Sequence, residues 1–135
     1  MPKKITRKYT YAVGRRKSSI TTLKLFKGKG ESLINEIKID DYFPQKIAKL
    51  IYQKPFVITG TEDKFFFYAK ITGGGKMGQV DSLALAISRA LVKIKEDYRK
   101  DLRAAGLLTV DSRIRQRRMV GTGGKARRQK QSPKR

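Results

Sequence analysis

Three glycines with the spacing Gly73-x-Gly75-x-x-Gly78 form the pattern in this sequence that most directly suggests a chemical site. Between a strand and a helix, G-x-G-x-x-G binds the pyrophosphate of a dinucleotide. That fold also needs a parallel strand ending in an acid about 20 residues later. Glu96 and Asp97 have this spacing but lie between two predicted helices, and no Gly-Lys-Ser/Thr of a P-loop is present. A nucleotide-dependent enzyme therefore remains only an alternative, and we expect neither a cofactor nor catalysis.

The same glycine loop suits a contact with nucleic-acid phosphates better. Glycine allows backbone amides to approach a ligand closely. Lys76 and the N-terminus of the helix that follows add positive potential beside the loop. The alternative is a flexible linker without a binding role. However, each ordered glycine lowers the folding stability by roughly 1 kcal/mol relative to alanine. We therefore predict a backbone contact between residues 73–76 and a phosphate.

Other catalytic or metal chemistry has few candidate residues. Cysteine and histidine are absent, which excludes disulfides, Cys/His zinc sites, thiol nucleophiles and triads with a histidine base. Adjacent acids occur at Asp40/Asp41, Glu62/Asp63 and Glu96/Asp97, each at a predicted turn or helix start. Carboxylates are favourable near a helix N-terminus. We interpret these pairs as capping and surface groups and predict no metal site.

The charge distribution indicates a polyanionic partner. The chain of 135 residues carries a formal net charge of +22. Residues 1–30 and 113–135 each contain ten Lys and Arg and no acid, whereas residues 31–112 contain thirteen bases and all eleven acids. Such basic segments bind nucleic acid, anionic membranes or acidic proteins. We expect no transmembrane helix and no secretory signal, because no sufficiently long apolar run is present.

Cations and hydroxyl groups stand together in the segment Gly14-Arg15-Arg16-Lys17-Ser18-Ser19. Arginine side chains pair with phosphate oxygens, and serine hydroxyls can donate to them as well. The alternative is a solvated strand end, although three adjacent like charges repel one another without a counter-anion. We predict that this segment binds phosphates.

The elements that position these residues follow from hydrophobic periodicity. Alternation at residues 9–13 and β-branched residues at 18–28 predict two strands, and residues 31–39 a third, so that 8–39 forms an antiparallel meander. The nearly continuous apolar run at 64–71 predicts a central strand buried on both faces, with Phe65, Phe66 and Phe67 in the core.

Helices are predicted on both sides of that central strand. Asp40 is placed to cap a short helix that buries Ile47, Leu50 and Ile51, and Pro55 is expected to start a new extended segment. Apolar residues at helical spacing predict the clearest helix over residues 79–95. A shorter helix follows at about 97–105.

Residues 113–135 have too few apolar side chains to form a core. Ordering a residue costs on the order of 1–2 kcal/mol in backbone entropy, so we expect this segment to be disordered when free. On an RNA surface its ten cations would displace condensed counterions. The alternative is a basic tail that binds polyanions without specificity. We divide the chain into a globular RNA-binding domain, 1–112, and an extended basic tail, 113–135.

Taken in order, these motifs resemble the bacterial-type family of the ninth protein of the small ribosomal subunit. The resemblance covers nearly the whole chain. It rests on the Gly14–Ser19 segment, the Gly73-Gly74-Gly75 loop with Gly78-Gln79, and on Ala86-Ile87, Ala90-Leu91, Leu102-Arg103, Gly106, Thr109, Asp111, Arg113, Lys125-Ala126-Arg127 and Lys134-Arg135.

The resemblance implies an α+β fold, with helices packed against a mixed four-stranded sheet and an extended basic C-terminal tail. It implies a structural protein of the subunit head, bound to the 3′ major domain of the ribosomal RNA beside neighbouring head proteins. It places ribosomal RNA contacts on Arg15, Arg16, Lys17, Ser18, Gly73, Gly74, Gly75, Lys76, Gln79, Arg113, Arg117, Arg118, Lys125 and Arg127.

The resemblance further implies that the tail contacts the anticodon stem-loop of peptidyl-site transfer RNA through Lys134 and Arg135, with Arg128 and Lys130 on the path inward. Two features depart from the family pattern. Gln131-Ser132-Pro133 replaces the usual aromatic-Ser before the final Lys-Arg, and Gln116 replaces a common glutamate. Pro133 lacks an amide donor and stiffens the last bend, so the approach of the terminal cations is open.

Two functions from other classes remain as alternatives to the ribosomal one. A histone-like DNA-architectural protein is disfavoured because the basic charge is split between two arms around a nearly neutral centre. A nucleotide-dependent enzyme is disfavoured by the missing half of the fingerprint. The expected location is a cytoplasmic ribosome, with an organellar ribosome left open.

Overall fold

The computed structural model describes residues 8–125, 127–129 and 132. Within them, helices and strands follow one another in this order: β1 (Tyr9–Arg16), β2 (Ser19–Lys27), β3 (Leu33–Ile34), β4 (Ile37–Lys38), α1 (Ile39–Tyr42), α2 (Lys46–Thr59), β5 (Phe65–Thr72), α3 (Lys76–Ile94) and α4 (Tyr98–Ala104). No helix in these ranges is long and apolar enough to cross a membrane.

The strands form one mixed sheet in the order β1-β2-β5-β3-β4. β1, β2 and β5 pair antiparallel, whereas β3 pairs parallel to β5. The predicted α+β class with helices packed on a mixed sheet is therefore confirmed, with five strands in place of four. β5 takes the central position that its apolar sequence predicts.

The antiparallel meander predicted over residues 8–39 is wrong beyond β2, because β5 inserts between β2 and β3. Asn35 and Glu36 adopt positive φ angles of 50° and 68° and split the third predicted strand into β3 and β4. The Asn35 side chain then donates to the Ile71 carbonyl (3.0 Å) and accepts from the Ile71 amide (2.9 Å). This amide bridge extends the pairing of β5 where β3 ends.

The core lies on one face of the sheet, where α3 packs against β1 and β2. Leu83, Ala86, Ile87 and Leu91 are completely buried at this contact, as the predicted helical stripe requires. The helix predicted over 79–95 is confirmed and begins three residues earlier. α4 confirms the helix predicted at about 97–105.

The prediction that Pro55 restarts an extended segment is wrong, because Pro55 lies inside α2. The buried face of α2 consists of Ala48, Tyr52, Pro55 and Phe56, while Ile47 is 63% and Leu50 71% exposed. Burial of the proline ring and of Phe56 offsets the missing amide hydrogen bond. The predicted buried face is therefore rotated, and Ile51 alone of the three named residues packs against the core.

β5 is buried on both faces only at its start. Phe66 and Phe67 point to opposite faces and are both buried, and Phe65 packs partly buried against the core. Beyond them burial alternates, so that Tyr68 and Lys70 are exposed and Ala69 and Ile71 are buried. The second half of this strand therefore has one face without a helix.

Candidate nucleic-acid interface

The hairpin between β1 and β2 and the glycine loop after β5 lie against each other. The Gly73 carbonyl accepts hydrogen bonds from the Ser19 hydroxyl (2.9 Å) and from the Gln79 side-chain amide (3.1 Å). Both motifs therefore form one surface at the N-terminus of α3. We call residues 15–18 and 73–76 the hairpin–loop surface.

Glycine is required where the loop meets the hairpin. Gly73 and Gly74 have φ angles of +76° and +68°, which side chains with a Cβ rarely adopt. A Cβ on Gly73 would lie 2.5 Å from the Ser18 carbonyl oxygen, and one on Gly74 would lie 2.1 Å from the Ser19 hydroxyl oxygen. Close approach to the hairpin is thus a structural reason for these two glycines.

Gly75 differs from its two neighbours because the space around it is open. Among the described residues, no heavy atom beyond its chain neighbours lies within 4 Å of the position that a Cβ would take. Gly75 is the N-cap residue of α3 and makes no side-chain capping hydrogen bond. First-turn amides of a helix lack intrahelical acceptors and attract anions. An anion can approach the helix at this point without a steric obstacle from residue 75.

The cations predicted to bind RNA here fall into two groups. Arg15, Lys17 and the hydroxyl-bearing Ser18 are exposed at the hairpin. Arg16, in contrast, is engaged within the protein, with its guanidinium 3.7 Å from Asp81 and 3.3 Å from Asp111. Arg16 therefore connects the hairpin to α3 and to the segment that follows α4.

Lys76 and Gln79 also make internal contacts. The Lys76 ammonium lies 3.5 Å from the centre of the Tyr42 ring, within the range of a cation–π interaction. The Tyr42 hydroxyl donates to the Gln79 side-chain oxygen at 2.9 Å, and Gln79 is buried. Gln79 therefore ties the Gly73 carbonyl to α1 and positions the loop, whereas Lys76 remains exposed beside it.

Asp111 joins the globular part to the basic segment that follows. Arg113 donates to both Asp111 carboxylate oxygens through its side chain (2.7–3.1 Å) and to Oδ1 through its backbone amide (3.1 Å). These hydrogen bonds, together with the nearby Arg16, hold the pKa of Asp111 well below its usual range. Arg113 is 84% exposed and extends from this contact.

We expect the Asp111→Asn substitution to weaken folding stability at neutral pH but to have little effect in strong acid. A carboxylate with a depressed pKa contributes its full stabilisation above the unfolded-state pKa of about 3.9 and loses it as the pH falls through the lower folded value. Urea unfolding of both proteins from pH 2 to 7 measures the difference. It should stay constant above about pH 5 and shrink below about pH 3; a difference that disappears already at pH 5 contradicts the assignment.

The basic residues predicted beyond Arg113 lie on exposed chain without helix or strand among the described residues. The predicted basic residues that the structure describes line one open cavity of about 540 Å³, together with Arg115: Arg117, Arg118, Lys125, Arg127 and Arg128. None of the residues that line this cavity is an acid. Arg118 packs over Gly124, where a Cβ would lie 2.5 Å from a guanidinium nitrogen. Lys130, Lys134 and Arg135 lie outside the described residues, as does Pro133.

Several contacts that shape this surface were not predicted from the sequence. Asp81 and Asp111 were not singled out as partners of Arg16, because both are far from it in the sequence. Arg89 donates to the Val13 carbonyl at 2.8 Å and fastens α3 to β1. Within the described ranges no three acids cluster as metal ligands. The exposed cations and the accessible N-terminus of α3 can bind anions.

Comparisons with known proteins agree on one family. Residues 14–135 match the family model described as ribosomal protein S9/S16. The small ribosomal subunit protein uS9 of Ureaplasma parvum serovar 3 is 44% identical over 123 residues, which cover 91% of this chain and 92% of that relative. The protein of the same name from Malacoplasma penetrans is 42% identical, with coverages of 91% and 94%.

Proposed function

The chain belongs to the ribosomal protein S9/S16 family and is a structural constituent of the small ribosomal subunit, and we propose that its hairpin–loop surface holds ribosomal RNA in the subunit head. This family consists of ribosome constituents and is not known to be enzymatic, as expected from the sequence. The relatives are bacterial, and the protein is located in the cytoplasmic ribosome.

The observation that carries the RNA proposal is the convergence of the hairpin and the glycine loop at the start of α3. Two motifs more than 50 residues apart place exposed cations, hydroxyl groups and an accessible helix N-terminus on one surface. Phosphate groups are recognised by such a combination. Within this surface Arg15, Lys17 and Lys76 supply the charge, while Arg16 and Gln79 hold the shape. The RNA partner is the 3′ major domain, beside neighbouring head proteins.

The second part of the proposal concerns residues 113–135. They carry ten cations and no acid, and no residue after Ala104 in the described part belongs to a helix or strand. We assign them as an extended tail, separate from the globular domain of residues 1–112, that contacts peptidyl-site transfer RNA. Lys134 and Arg135 make that contact, with Arg128 and Lys130 along the path from Arg113, Arg117, Arg118, Lys125 and Arg127.

Deletion of Lys134 and Arg135 tests the transfer RNA contact. We expect the affinity of small subunits for peptidyl-site transfer RNA to fall about tenfold, the equivalent of one charge-assisted hydrogen bond of roughly 1.4 kcal/mol. Filter binding to purified subunits measures this affinity, and sedimentation checks that the protein stays in the subunit. The double substitution Lys49→Gln/Lys54→Gln removes the same charge from exposed positions of α2 and, as the matched control, should leave the transfer RNA affinity unchanged. Equal transfer RNA affinity in the deletion and the parent protein would refute the contact.

A further inference from the structure

One face of the sheet carries none of the helices between residues 8 and 125, and its exposed side chains are mainly aromatic and basic. α2 and α3 cover the face that contains Leu23, Phe67 and Ala69. The opposite face presents a group of aromatic and basic side chains from β1, β2 and β5, which we call the open sheet face: Tyr9, Tyr11, Lys24, Phe26, Tyr68 and Lys70. Tyr9, Tyr11 and Tyr68 are 48%, 47% and 39% exposed. Large aromatic side chains with this exposure are candidates for a binding surface.

The aromatic rings of this face support one another. Phe26 is buried at the centre, with its ring centre 5.2 Å from that of Phe66 in a stacked arrangement, 5.0 Å from that of Tyr68 and 5.7 Å from that of Tyr9. The chain passes over the buried Phe66 at Gly30, where a Cβ would lie 2.9 Å from the ring. Tyr9 and Tyr68, which flank Phe26, are therefore held by packing, so little rotamer entropy is lost when a base stacks on Tyr68.

Basic side chains alternate with these rings. Tyr11, Lys24 and Tyr68 are direct cross-strand neighbours and form one row across β1, β2 and β5. Lys70 lies two residues after Tyr68, on the same face, beside an open groove of about 810 Å³ whose lining also includes Lys24 and Glu36. The Lys24 ammonium lies 5.1 Å from the centre of the Tyr9 ring, so the row joins two exposed aromatic residues to a lysine that also contacts a third aromatic ring.

We propose that the open sheet face binds the unpaired bases of a single RNA strand. Bases stack on Tyr11 and Tyr68, and their phosphates pair with Lys24 and Lys70. Stacking on aromatic side chains combined with a basic groove is the chemistry by which proteins bind single-stranded nucleic acid. An apolar protein surface fits less well, because it would bury the Lys24 and Lys70 ammonium groups beside a single carboxylate, that of Glu36. This surface is distinct from the hairpin–loop surface, which contacts phosphates.

The test uses the full chain and a single-stranded oligouridine decamer at 0.2 M salt, where contacts through phosphates alone are weakened. The fluorescence anisotropy of a fluorescein-labelled decamer measures the affinity of every variant, including those that lack Tyr11 and Tyr68. We expect the Tyr11→Leu/Tyr68→Leu variant to lose at least about 25-fold in affinity, since each of the two stacked bases contributes at least about fivefold. The Tyr11→Phe/Tyr68→Phe variant keeps its rings and should bind within about twofold of the parent.

Two matched controls separate this surface from the rest of the chain. The Ile47→Ala/Leu50→Ala variant removes exposed apolar side chains from α2, on the other side of the sheet, and should bind the decamer normally. Lys70→Gln should weaken binding several-fold, whereas Lys49→Gln on α2 should not. Equal decamer affinity of the Leu and Phe double variants would overturn the proposal, as would cross-linking of Tyr68 to a neighbouring protein in intact subunits. A duplex RNA probe reports on the hairpin–loop surface, so either proposal can fail without the other.

Discussion

Replacing Gly14 by alanine is expected to lower the free energy of unfolding by about 3 kcal/mol. A Cβ at this position would lie 2.0 Å from the Ser82 carbonyl oxygen and 2.7 Å from the Ala86 amide nitrogen. Ser82 and Ala86 are completely buried in α3, so the helix backbone cannot yield locally. Strand β1 would have to move away from α3 over the length of their contact, which opens gaps in the core.

Urea or thermal unfolding of the Gly14→Ala variant measures this loss. Gly75→Ala is the matched control, because a Cβ there meets no heavy atom of the part of the chain that the structure describes, and Gly75 has a φ of −88° that alanine also adopts. We expect the control to change stability by at most about 1 kcal/mol. A Gly14→Ala variant as stable as the control would show that the contact between β1 and α3 is looser than the distances indicate.

Removal of residues 113–135 is expected to leave the folded domain intact and to remove about half of the salt dependence of RNA binding. All residues of the hydrophobic core and those packed against it lie at or before Leu108. The removed segment carries ten cations, and each phosphate contact contributes about 0.7–0.9 to the slope of log K against log salt. The slope for ribosomal RNA should therefore become less negative by up to about 7–9.

Measurement of RNA affinity between 0.05 and 0.2 M salt tests the change in salt dependence. Thermal unfolding of the truncated chain tests whether the domain remains folded. A full-length variant with glutamine at all ten cations of residues 113–135 is the control for chain length. It should reproduce the slope of the truncated chain, because the contribution is electrostatic. A cooperative loss of folding in the truncated chain would contradict the division of the chain at residue 112.

Local patterns in the sequence were sufficient to predict the helices and strands that bury one continuous stripe of side chains. The periodicity of α3 is set by residues within one helix, such as Leu83, Ile87 and Leu91, and needs no knowledge of distant partners. The strands β1 and β2 follow from alternation and from a short turn between them. For α2 the local signal failed, because Pro55 suggested a break and tertiary burial of Phe56 outweighed it.

The candidate binding surface was predicted in part. Arg15, Lys17 and the glycine loop were identified by residue type, and the structure brings them together through the Ser19–Gly73 hydrogen bond. Arg16 and Gln79 were grouped with the RNA-binding residues, whereas their contacts with Asp81, Asp111, Tyr42 and Gly73 indicate positioning. Residue type specifies what a side chain can bind, but the partner that it meets depends on the fold.

By itself, the sequence determined the family, the division of charge and the main helix. Charge is a sum over residues, and helical periodicity is a property of neighbours three and four positions apart. Only the tertiary structure decided that β5 separates β2 from β3, that Gly14 faces α3, and that one sheet face is left open with its tyrosines exposed. These features depend on pairs such as Asn35 with Ile71 and Gly14 with Ser82. Such pairs are far apart in the chain, and their choice is set by the burial and backbone hydrogen bonding of the whole domain.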